Sequence, residues 1–189
     1  MGRVHDRHHS PLPTVDELAP ALVARLFNPK ETFIFTIVRD PSSRALAGYL
    51  DKVKDGTGYF YDLVRVAAHK APGAEISFET FLETLTDQRP SEMDIHWRAQ
   101  TSLIRPDAVK YSLIGRFEHL GRALTYIQRQ LPFQLRIPTP SPYRRTSATK
   151  KLQQYLTPRA THLLERIYAL DYEVLKYPSP HEHLARSKA

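Results

Sequence analysis

Residues Phe33 to Val38 form a near-continuous apolar run rich in β-formers, the pattern of a strand covered on both faces in a parallel sheet. Asp40-Pro41 follows as an N-cap with proline at the first helical position, and Leu46, Tyr49, Leu50 and Val53 then recur at helical spacing. A helix over Pro41 to Lys54 is expected, stopped by Asp55-Gly56-Thr57-Gly58. Upstream, Thr14 and Glu17 fit a capping box ahead of the apolar face of Leu18, Ala21, Leu22 and Leu26. Downstream, a helix is expected from Tyr59, and Ser77 caps another carrying Phe78, Phe81, Leu82 and Leu85. Met93 to Ser102 reads as either helical or extended. A second buried strand covers Val109 to Gly115, and a helix covers His119 to Gln130. Pro132 to Thr149 reads as a long proline- and arginine-bearing loop, and Thr157-Pro158 caps a final helix with a stripe from Leu163 to Leu175. A strand apolar on both faces needs neighbours on both edges, yet only one other convincing strand is found, whereas sheets usually have roughly four to six. The α/β domain therefore reads as one with part of its sheet missing.

The 189 residues, 41% of them hydrophobic, suffice for one domain with its own core. The expected division is a flexible tail over 1–13, a domain over 14–177 and a second tail over 178–189. No run approaches the ~18 apolar residues of a membrane span, and Met1 to Ser10 lacks the apolar centre of a secretory signal. The absence of cysteine excludes disulfides, thiolate catalysis and cysteine-bound zinc, and fits a cytoplasmic protein.

A net charge of +7 favours anionic partners. A nucleic-acid binder should interleave aromatic and basic residues on one face, and that pattern is missing, so no nucleic-acid partner is expected. His5, His8 and His9 lie in a polar tail, where histidines are usually solvated rather than metal-bound. Gly56-Thr57-Gly58 lacks the Lys-Ser/Thr of a nucleotide loop and reads as a helix stop.

Where the first strand breaks at Arg39, free backbone N–H groups and the positive end of a helix dipole should meet, with Arg39 and Arg44 as fork-shaped donors suited to phosphate. Asp40 opposes this unless its carboxylate turns back to cap its own helix. The bland reading is a capped helix with two solvent-facing arginines.

The segment from Phe35 to Lys52 resembles the 3′-phosphate-binding segment of sulfotransferases that use 3′-phosphoadenosine 5′-phosphosulfate (PAPS). More closely, it resembles carbohydrate sulfotransferase family 2, the chondroitin, dermatan and HNK-1 type, with its pattern F-x-x-V-R-D-P-x-x-R-x-x-S-x-Y-x-x-K. Phe35, Val38, Arg39, Asp40, Pro41, Arg44, Tyr49 and Lys52 fall on it, while Ala47 stands where the family has serine. Ser43, one turn earlier on the same face, is a candidate replacement donor. Three further segments agree in order: Ile76 to Leu85; Asp94, His96, Trp97 and Gln100 on D-x-H-W-x-x-Q; and Tyr111 to Leu120 on Y-D-F-I-G-K-F-E-x-L. Ile167 to Asp171, Tyr172 and Tyr177 match the closing I-Y-x-L-D-Y-x-x-F-x-Y.

The resemblance implies a P-loop-kinase-like α/β fold, a parallel sheet flanked by helices, and transfer of a sulfonyl group from PAPS to a carbohydrate hydroxyl without a metal. It implies cofactor contacts from Arg39, Asp40, Pro41, Ser43, Arg44 and Ala47, and from Arg145 and Lys150 if their basic loop closes over the nucleotide rather than staying a solvated linker. Asp94, His96, Trp97 and Gln100 would face the acceptor. His96 is the candidate base, oriented by Asp94, or it only positions a loop. No lysine followed four residues on by Ser or Thr precedes Val38, so the fold is expected to be N-terminally incomplete, lacking the unit that binds the 5′-phosphosulfate. The rival expectation is an inactive remnant that binds adenosine 3′,5′-bisphosphate or a sugar.

Overall fold

A computed structural model describes residues 15–134 and 146–186. Its elements run α1 (Pro20–Leu26), β1 (Phe35–Val38), α2 (Pro41–Lys52), α3 (Tyr59–Ala67), α4 (Phe78–Thr86), α5 (Gln100–Ile104), β2 (Leu113–Arg116), α6 (Leu120–Gln130), α7 (Ala148–Tyr155), α8 (Pro158–Leu175) and α9 (Pro180–Arg186). The α/β expectation holds, in a mostly helical form with a small sheet. Among the described residues, β1 and β2 are the two strands of that sheet, parallel and in register from Phe35↔Leu113 to Val38↔Arg116.

Alternation along the strands puts Ile37 and Gly115 on the face under α6. A Cβ on Gly115 would lie 2.6 Å from Ile37 Cδ1 and 2.9 Å from Ala123 Cβ, so only glycine lets α6 settle onto β2. On the other face Val38 is buried, and the end of α8 arrives there. Arg116 donates to the carbonyls of Leu175 and Lys176 (3.2 and 2.8 Å), meeting the exposed carbonyls of a helix C-terminus with a cation.

The core lies away from the sheet. Leu46, Phe81, Leu82, Leu85, Trp97, Leu164 and Tyr168 are fully buried between α2, α4, α8 and the 93–99 segment. The Ser77 and Thr157 caps form as expected, accepting from Thr80 N and Ala160 N. Helix α8 departs from regular geometry at Tyr168 (φ −115°, ψ 21°), whose hydroxyl donates to the Trp97 carbonyl.

Several expectations change. Thr14 lies outside the described residues; Val15–Glu17 is a 3₁₀ turn, and α1 begins at Pro20 with no side-chain cap and no buried residue. Of Met93 to Ser102, only the end from Gln100 is helical; residues 93–99 are irregular turns held from outside. Helix α7 starts inside the expected loop because Ala148, Leu152 and Leu156 find a buried face against the core. Residues beyond 178, expected as a tail, carry α9, with Leu184 packed against the core. Among the described residues no helix is long and apolar enough to cross a membrane, and no group of three or more metal-ligating side chains gathers. The His5, His8 and His9 cluster lies outside them.

Candidate functional site

The turn from β1 into α2 is fixed from three sides. Asp40 caps α2, its Oδ1 accepting from Ser43 N at 2.7 Å, and Pro41 follows at the first helical position. Few N–H groups are left for an anion: Pro41 has none, and those of Ser43 and Arg44 go to Asp40. The sequence expectation of a backbone cradle is therefore corrected, and what the turn offers is a guanidinium.

That guanidinium is tightly placed. Arg39 Nε donates to Ser43 Oγ (3.0 Å), Nη2 donates to Thr149 Oγ1 (3.1 Å), and the group lies 5.1 Å from the Phe117 ring centroid. Burial lowers its pKa while Glu118 and Asp40 raise it; arginine remains a cation throughout. The Gln100 amide grips the Arg39 backbone both ways, Oε1 accepting from Arg39 N at 2.8 Å and Nε2 donating to Arg39 O at 2.7 Å. Gln100 is anchored in turn by Asp171, which is fully buried and accepts from Gln100 N, Thr101 N and Thr101 Oγ1 at 2.7–2.8 Å. Glu118 completes the frame: it accepts from Asp40 N (2.9 Å) and from the Tyr177 hydroxyl (2.9 Å). Burial and that bond to Glu118 push the Tyr177 pKa far up.

A second group lies further along α2. Arg44 donates to the carbonyls of Arg98 (2.7 Å) and Ile95 (2.8 Å), which binds the irregular 93–99 segment against the helix. Gly48 faces the His96 carbonyl. The Asp94 carboxylate accepts from the His96 backbone N (2.9 Å) and from its Nδ1 (2.5 Å). With its proton on Nδ1, the ring presents Nε2 as a base, and Nε2 has no hydrogen-bond partner among the described residues. The Phe60 ring meets His96 edge-on at 4.9 Å, and Lys52 Nζ lies 5.6 Å from the Phe60 centroid.

The expected site residues thus separate. Arg39 is placed as a donor, with Lys150 exposed one residue beyond its partner Thr149. Asp40 and Ser43 serve the turn itself, since Ser43 Oγ accepts from Arg39 and donates to Asp40 O (3.2 Å). Ala47 is half-buried against the core and supplies no donor. Arg44 does not face an anion; both of its donating ends are taken by carbonyls. Trp97 is 1% exposed, edge-on to Phe60 and Phe81, so it belongs to the core and not to an acceptor surface. Gln100, 6% exposed, serves Arg39 and not an acceptor. Asp94 and His96 stay together at a partly open surface. Arg145 lies outside the described residues.

Several residues of the frame were not expected there. Phe117, Glu118, Asp171 and Tyr177 sat inside family-like segments, and that was their only signal. Thr149 had none.

Arg39 stands in the turn ahead of α2, and His96 sits on the 93–99 segment, its carbonyl facing Gly48 further along that helix. A fixed cation just ahead of α2 and an oriented imidazole on the segment packed beside that helix suit the handling of an anionic group beside a hydroxyl. A model of the sulfotransferase family matches residues 3–178, and the chain belongs to that family. It is 30% identical over 190 residues to carbohydrate sulfotransferase 14 of Mus musculus, covering 92% of this chain and 49% of that protein. Carbohydrate sulfotransferase 9 of Homo sapiens is 29% identical over 164 residues, 76% of this chain and 37% of its own. Carbohydrate sulfotransferase 10 of Rattus norvegicus is 26% identical over 202 residues, 94% and 55% respectively. The chain thus spans about half the length of the relatives it matches, which are of the carbohydrate type its motifs resemble. No solved structure matches it significantly.

Proposed function

We propose that this chain carries the 3′-phosphate and acceptor-base portion of a PAPS-dependent carbohydrate sulfotransferase. The observation that carries this reading is the Arg39 guanidinium, fixed by Ser43, Thr149 and Phe117 at the end of β1. Its charge and the Nη1 end that no described residue takes suit a phosphate, and the Thr149 hydroxyl, 3.1 Å from Nη2, is a nearby donor where Ala47 supplies none. PAPS, when bound, supplies a sulfonyl group on a good leaving group. Only the 3′ end of the donor is assigned to residues of this chain.

In this reading His96 Nε2 accepts the proton of a sugar hydroxyl as its oxygen bonds to sulfur. The bond from sulfur to the bridging oxygen breaks, and adenosine 3′,5′-bisphosphate leaves. Asp94 holds the imidazole in the required tautomer, and Arg44 holds the segment that carries both. The acceptor class rests on the carbohydrate sulfotransferase names of the relatives and on the half-open aromatic surface of Phe60 beside His96.

Adenosine 3′,5′-bisphosphate should raise the melting temperature of the chain, and Arg39→Ala should abolish the shift. An unshifted parent chain would sink the reading.

A further inference from the structure

Asp40 poses an electrostatic problem for any phosphate at Arg39, because a carboxylate one residue from the cation opposes an incoming anion. Its Oδ1 is turned into α2 by the cap. Its Oδ2 is met by His183 Nε2 at 2.9 Å, across 143 residues of sequence. The pair is well enclosed, with side chains 20% and 8% exposed for His183 and Asp40. His183 stands on α9, beyond residue 178 where the family match ends. Two further bonds seat that helix: Gln153 of α7 donates to the His183 carbonyl (3.1 Å), and His181 pairs with Glu165 of α8 (2.9 Å). The other polar groups around the carboxylate are already committed. Glu118 takes the Asp40 N–H, Tyr172 bonds Ser42 (2.7 Å), and Arg39 is held by Ser43 and Thr149.

We propose that His183 is a positioning residue of the nucleotide site: it donates to Asp40 Oδ2, turns that carboxylate away from the bound phosphate and screens its charge. The inference rests on the reading of Arg39 as the 3′-phosphate donor. It makes the C-terminal helix part of the binding machinery rather than an appendage.

The test uses the full chain and titrates adenosine 3′,5′-bisphosphate by calorimetry against the parent, His183→Ala, His183→Gln, Asp40→Asn and the double variant Asp40→Asn/His183→Ala. His183→Ala should weaken binding on the order of fivefold to tenfold, equivalent to about one kcal/mol of coupling. His183→Gln keeps a donor and should recover most of the loss. In the Asp40→Asn background, where asparagine still caps the helix but carries no charge, removing His183 should cost almost nothing. An equal loss in both backgrounds overturns the proposal, because His183 would then act on the fold alone. Parent-like binding by His183→Ala overturns this inference and leaves the Arg39 reading standing, whereas no binding by the parent overturns both. If His183→Ala does not fold, Asp40→Asn decides instead: with no carboxylate charge left to screen it should bind at least as tightly as the parent, and weaker binding by a folded Asp40→Asn overturns the proposal.

Discussion

Around Trp97 the chain closes on itself; around β1 it does not. In the helical body, Phe81, Trp97, Leu164 and Tyr168 lose nearly all contact with water. In the sheet wing of β1, β2 and α6, Phe35 is 44%, Phe117 47%, Tyr126 46% and Phe133 60% exposed. Both regions are rich in large apolar residues, so composition does not separate them. The difference is the number of layers: body residues are packed between several helices, while the wing has α6 on one face and two strand edges open among the described residues. The candidate site lies on the seam, and most of its anchors come from the body, with Phe117 and Glu118 added from the wing. Gln100, Asp171, Arg44 and Thr149 hold Arg39 and His96, whereas the strand contributes little beyond the position of Arg39 along the chain.

Asp171→Ala should show the largest effect. It leaves two buried backbone donors and a buried hydroxyl without their acceptor, at about 3–5 kcal/mol in denaturant unfolding. It should also release Gln100 and with it the Arg39 turn, seen as loss of the nucleotide-induced melting shift even where the chain still folds. A cost under about 1 kcal/mol would mean that the body does not organise the seam.

Alkaline pH sharpens the comparison next, because buried tyrosines cluster in the body. Burial pushes Tyr49 up to about 12, and raises Tyr168 and Tyr172 as well. A folded-state pKa above the ordinary value near 10 gives stability that is complete below pH 10 and is lost as pH rises toward 12, since the unfolded chain ionises first. Each tyrosine contributes up to about 1.4 kcal/mol per pH unit across that window. Tyr49→Phe should flatten the decline by about that amount, while losing the bond to the Ile76 carbonyl. Parallel pH profiles for parent and variant would show that Tyr49 is not held as described.

The smallest effect belongs to the wing. Phe133→Ser removes a ring already mostly in water and should change stability by no more than about 0.5 kcal/mol in denaturant unfolding. A loss above about 1.5 kcal/mol would erase the distinction between the two regions.

The parts of this arrangement that were legible in the sequence are local. The Asp40-Pro41 cap, the Ser77 and Thr157 caps and the apolar run of β1 all depend on neighbours within a few residues, which spacing reports directly. The strand-to-helix turn and the Asp94–His96 pair belong to this class. The roles of Gln100, Arg44 and His183 do not, because their partners lie 61, 54 and 143 residues away. A glutamine that grips a backbone and one that faces a sugar look the same in a motif. Trp97 misleads for a related reason: a family-like motif marks that a residue matters, not whether it matters to packing or to ligand. Helices α7 and α9 escaped because each is short, and their few apolar residues become a stripe only against the core that receives them.

The grip of Gln100 on Arg39 has a mechanical consequence. Its carboxamide presents the same donor and acceptor pair as a peptide unit, so a side chain from the body stands in for a neighbouring strand at the point where β1 ends. Arg39 is therefore grafted onto the helices rather than carried by the sheet. The edges of β1 and β2 that stand open among the described residues can fray, or take on further strands, while the cation stays where Asp171 has moored it.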